Sequence, residues 1–204
     1  MVFINDSLTI VLVGDWNKLY IQPDWVANNV FEKEEIEIGI NGQGSDFAVS
    51  YRENGVVVSP GQSKVVFSVI NTDDETLNKL CQCINNFVEK AYTPQLFAYG
   101  LNADFLEEEG ILFAEVIDSM SDTRDIVENG YEVVSTKISR TLKRDDKFIN
   151  MDCNLENKNL MVHFNEHHNP GENKPNFCID DIKNFIEESC GILRGLGYEI
   201  EGDE

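Results

Sequence analysis

A chain of 204 residues, 42% hydrophobic and 26% charged, holds enough apolar material for one sizeable core or two small ones, which excludes disorder throughout. Acidic residues outnumber basic ones 37 to 16, and the net charge of -21 disfavours phosphate backbones and anionic membranes while favouring basic partner surfaces. No apolar run approaches the roughly 18 residues of a membrane span, and Met1–Trp16 has no basic segment ahead of its apolar stretch, so a cytoplasmic, non-membrane protein is expected.

In chain order, the first half reads as strands at Leu8–Val13, Leu19–Gln22, Ile36–Ile40, Phe47–Arg52, Val56–Ser59 and Lys64–Ile70. Asn54-Gly55 marks a tight hairpin turn, and 24–31 reads as a short helix weakened by its Asn pair. Leu77, Leu80, Cys81, Ile84, Phe87, Val88 and Ala91 then recur at helical spacing, predicting a helix over 73–90 with a capping box in Thr72-Asp73-Asp74-Glu75.

Beyond that helix, the aromatic-rich stretch 92–105 reads as a strand returning to the sheet. A strand over 111–117 and a short helix over 122–129, stopped by Gly130, precede a meander. In the meander Val134, Ile138 and Leu142 share one strand face, Ile149, Met151, Cys153 and Leu155 alternate along the next strand, and Leu160, Val162 and Phe164 along the third. A second helix over 177–194 follows from Ile179, Ile182, Phe185, Ile186, Cys190 and Leu193, with Gly195 or Gly197 as its stop.

These elements predict an α+β fold: mainly antiparallel sheet with two long helices packed on one side. The order strands-then-helix occurs twice, dividing the chain into β-rich/α halves 1–105 and 106–204 within one compact domain. A tandem duplication and the convergence of two helix stripes both explain that repetition.

The chemistry-bearing candidate is Met161–His168, where all three histidines stand beside a carboxylate and the letters fit H-x-x-E-H. That motif ligates zinc only on a helix, and here strand alternation precedes it and Asn169-Pro170-Gly171 ends it. His163, Glu166, His167 and His168 are thus candidate metal ligands only if a loop gathers them. The plainer reading is a histidine on the wet face of a strand followed by a polar loop.

The remaining features carry less. Five cysteines without metal-ligand spacing read as buried thiols in a reducing compartment. Paired carboxylates are too abundant to mark a site, and the Gly39–Asp46 loop lacks the features of a nucleotide fingerprint. The one basic cluster, Lys137, Arg140, Lys143, Arg144 and Lys147, is split between strand faces, with Lys137 and Lys143 on one side and Arg140 and Arg144 on the other. It reads either as a hairpin neutralised by nearby acids or as a contact site for an acidic patch on a partner or second copy, which would give a homo-oligomer.

The expected function is therefore a non-catalytic acidic protein that engages a basic partner surface, as a regulator, a complex subunit or a nucleic-acid mimic. No cofactor and no direct nucleic-acid binding are expected. The competing expectation is a metal-dependent hydrolase built on His163, Glu166, His167 and His168.

Overall fold

Period-two alternation in both halves of the chain builds a single ten-stranded antiparallel sheet. The structure is a computed structural model, and it describes residues 1–16, 21–43, 46–91, 96–108, 128–145, 147–170 and 174–201. Its strands are β1 Val2–Phe3, β2 Thr9–Gly14, β3 Glu37–Gln43, β4 Asp46–Glu53, β5 Val56–Pro60, β6 Lys64–Val69, β7 Leu96–Glu107, β8 Ser135–Arg144, β9 Lys147–Glu156 and β10 Asn159–His168. The spatial order is β3-β4-β5-β6-β2-β7-β10-β9-β8, with β1 beside β7.

The described helices are α1 Pro23–Val26, α2 Asp74–Lys90 and α3 Ile179–Gly195. Asp73 caps α2, its carboxylate accepting from Thr76 N at 2.8 Å, so the cap is one residue later than a box starting at Thr72 would place it. The α3 helix begins at Ile179 because the Asp181 carboxylate accepts from Cys178 N. It ends where Gly197, at φ 95, lets Gly197 N donate to Arg194 O and Tyr198 N to Leu193 O. The expected helix over 24–31 is α1 running into a π-turn at Ala27–Phe31, with Asn28 and Asn29 donating to the carbonyls of Asp24 and Trp25.

Two hairpins turn through paired left-handed residues, Asn54-Gly55 (φ 46 and 78) and Asn157-Lys158 (φ 50 and 70). The β8 strand starts at Ser135, so Val134 does not share a strand face with Ile138 and Leu142 as expected: residues 131–134 lie outside any strand, and Tyr131 and Val134 are 70% and 65% exposed. Ile21 and Gln22 lie outside any strand, while residues 17–20, the expected strand over 111–117 and residues 122–127 of the expected helix lie outside the described residues.

The α2 helix packs on β5 and β6, α3 packs on β7, and the two helices touch each other. The core lies beneath them. Phe87 of α2, fully buried, meets Trp16, Phe67 and Trp25 at ring-centroid distances of 5.0, 5.5 and 5.9 Å. Farther along, Phe105 of β7 meets Phe164 of β10 at 5.7 Å. A division between residues 105 and 106 falls inside β7, which pairs with β2 on one side and β10 on the other, so the two halves share one sheet. No described helix is long and apolar enough to cross a membrane.

Candidate functional site

Strand β10 decides what the histidine-rich segment can do. Leu160, Val162 and Phe164 point into the core, and the same alternation carries Glu166 and His168 to the helix-covered face. His163 and His167 point the other way, so the four candidates divide two and two and do not meet at a point. Among the described residues no group of three or more His, Cys, Asp or Glu side chains is placed to hold a metal ion.

On the helix-covered face, Glu166 is only 3% exposed. Its Oε1 lies 2.6 Å from His168 Nε2 and 3.1 Å from Lys147 Nζ, while Oε2 is buried without a hydrogen-bond partner among the described residues. Burial disfavours its charged form, but the hydrogen bonds from His168 and Lys147 outweigh that and hold the carboxyl below its ordinary range. A cavity of about 230 Å³ opens here, between the ends of β7, β9 and β10 and the segment that enters α3. Tyr99, Leu101 and Phe177 form its apolar wall, and Asp181 and Asn184 come from α3. The ring of His168 stacks on Tyr99 at 4.6 Å and 7°, and Phe177 meets Tyr99 edge-on at 5.2 Å.

The opposite face carries a ladder of polar side chains across four strands. Asn165 Nδ2 donates to Asn102 Oδ1 at 2.8 Å, Asn150 Nδ2 to Asn165 Oδ1 at 3.2 Å, and Thr141 Oγ1 to Asn150 Oδ1 at 2.8 Å. One row along, His163 Nδ1 lies 2.6 Å from Asp104 Oδ1, and Lys137 reaches Asp152 at 2.9 Å. The hydrogen bond to Asp104 raises the His163 pKa against a lowering by burial. This row is a set of satisfied surface pairs.

The basic hairpin splits between the faces as its register requires. Arg144 meets Glu188 of α3 at 3.3 Å, Lys143 lies over the Phe148 ring, and Arg140 is exposed on the helix side. A groove of about 730 Å³ separates this hairpin from α3, lined by Leu142, Arg144, Glu187, Glu188 and Ile192. Cys81, Cys83, Cys153 and Cys190 are buried and Cys178 is exposed.

No known protein-family model matches the chain, and no curated protein matches it in sequence.

Sequence reasoning assigns neither Phe177 nor Asn184 to a site, and it meets Lys147 only as one of the basic cluster and Tyr99 only within the aromatic-rich stretch 92–105. One signal for part of the site was present: continuing the Leu160, Val162, Phe164 alternation places Glu166 and His168 inward. Nothing local in the sequence places Phe177 or Asn184 across from them.

Proposed function

We propose that the protein is a non-catalytic binding protein whose acidic surface engages a basic partner surface. The observation that carries this reading is the way most of its described bases are already committed. Lys33, Lys90, Lys137, Arg144, Lys147, Lys183 and Arg194 each hold a carboxylate within 4.0 Å, and Lys79 and Lys174 donate to backbone carbonyls. Against 37 acids in the chain, that leaves carboxylates in large surplus. Glu34, Glu35, Glu37, Asp73, Glu75 and Asp180 are all exposed. Such a surface steers cationic partners and repels phosphate backbones.

The scaffold that presents these groups reads as two copies of one unit. Twice along the chain a strand, β2 or β7, pairs with the last strand of a meander, β6 or β10, and a 17-residue helix opening on acids follows. Lys183 of α3 reaches Asp74 of α2 at 2.6 Å, which brings the acid-rich starts of the two helices into one surface region.

The test is the salt dependence of a purified complex. A partner isolated from source-cell extract should be basic, and its dissociation constant should rise steeply between about 0.1 M and 1 M salt, over which screening shortens from about 10 to 3 Å. Affinity insensitive to salt, or direct binding to DNA or RNA, would overturn the reading.

A further inference from the structure

We infer that the cavity beside Glu166 binds a planar guanidinium or amidinium cation, supplied either by an arginine side chain of a basic partner or by a free guanidino compound. The inference deepens the function proposed above and rests on it only for the first of those two sources. Three properties of the cavity select this chemistry.

The first is the missing donor. Glu166 Oε1 already has Lys147 and His168, whereas Oε2 is buried with no partner among the described residues. A carboxylate oxygen left so is costly, and turning the carboxyl toward the cavity would let an entering N–H group satisfy it. The ligand is therefore a donor.

The second is charge. Glu166 and Asp181 both line the cavity, against the ammonium of Lys147 and the imidazole of His168, which is hydrogen-bonded to Glu166. Burial, then the negative charges of Asp181 and Glu166, push the Tyr99 hydroxyl upward against a smaller lowering by Lys147. An anion is disfavoured there and a cation is favoured.

The third is shape. At about 230 Å³ the cavity is smaller than the ~300–1,000 Å³ of drug-sized ligands, so it suits a single side chain. Tyr99, Leu101 and Phe177 wall it with ring and methyl surface. A guanidinium is flat, weakly hydrated, stacks on aromatic rings and donates through a fork, whereas an ammonium is compact and strongly hydrated. The wall thus selects guanidinium over ammonium.

The test is titration of the full chain with methylguanidinium chloride, followed by calorimetry and amide chemical shifts, with methylammonium chloride and a short arginine-containing peptide as further arms. Saturable binding is expected, with shifts centred on Tyr99, His168 and Phe177 and weaker binding of methylammonium. Glu166→Gln should weaken methylguanidinium by about tenfold or more. Tyr99→Leu, which leaves the carboxylates in place and carries the test should Glu166→Gln fail to fold, should weaken it about two- to fivefold. No saturable binding, or binding that both variants leave unchanged, would overturn the site and leave a cavity filled by water. Peptide binding that Tyr99→Leu weakens identifies arginine as the source. Methylguanidinium binding without peptide binding supports the site with a free guanidino ligand, and counts against a basic partner seated there. Salt-dependent partner binding that Tyr99→Leu does not change would overturn the site as the partner's anchor while the charge-based function stands.

Discussion

Tyr99 and His168 face each other across β7 and β10 and stack at 4.6 Å, with their ring planes 7° from parallel. That contact holds the imidazole on the helix-covered face, where its Nε2 reaches Glu166 at 2.6 Å. A cross-strand pair at the end of the sheet therefore fixes the geometry of a buried carboxylate.

Glu166 makes stability depend on acid pH. Its folded pKa lies below the ordinary 4.5, so its contribution is fully present above that value and is lost as pH falls through the folded pKa. Glu166→Gln is expected to cost about 1–3 kcal/mol at neutral pH. Thermal melts of both proteins across pH should show the difference shrinking below pH 4.5. A difference that stays constant into acid would contradict the ion-pair account.

His163 works in the opposite sense. Its pKa is raised from 6.5 by Asp104, so the pair stabilises fully below that pH and the contribution fades as pH rises through the folded pKa. Because the His163 side chain is 42% exposed, water screens the pair and Asp104→Asn should cost no more than about 1 kcal/mol, at the low-pH end only. Chemical denaturation at pH 5.5 and pH 8.5 measures it, and an equal loss at both would exclude titration of His163 as the cause.

The thiols should separate by burial. Desolvation pushes Cys81 and Cys83 up to about 12 and also raises Cys153, while Cys190 is buried and Cys178 is exposed. Thiolate is the reactive form, so a thiol reagent at neutral pH should label one of the five cysteines rapidly and the rest only on unfolding. Fast labelling of Cys83 in the native protein would refute the packing of α2.

Phe87 is the aromatic centre of the first half of the core. Phe87→Ala should cost about 3–5 kcal/mol through the cavity it leaves beside Trp16, Trp25 and Phe67. Phe97→Ala, at a side chain 51% exposed, should stay within about 0.5 kcal/mol. Denaturant midpoints of the two variants compare them, and equal effects would place Phe87 outside the core.

Sequence by itself determined the antiparallel, α+β character, the hairpin at Asn54-Gly55 and the inward faces of β9, β10, α2 and α3, because each follows from a local period or from a turn that only certain residues enter. It also held the inward direction of Glu166 and His168, through the alternation that begins at Leu160, although the three clustered histidines spell a motif that the strand divides. Only the tertiary structure decided that β7 joins both halves in one sheet, and that Lys147, Phe177 and Asn184 converge on Glu166. Strand order and helix docking are set by contacts between residues far apart in the chain. Local periodicity fixes which way a side chain points, not what it meets.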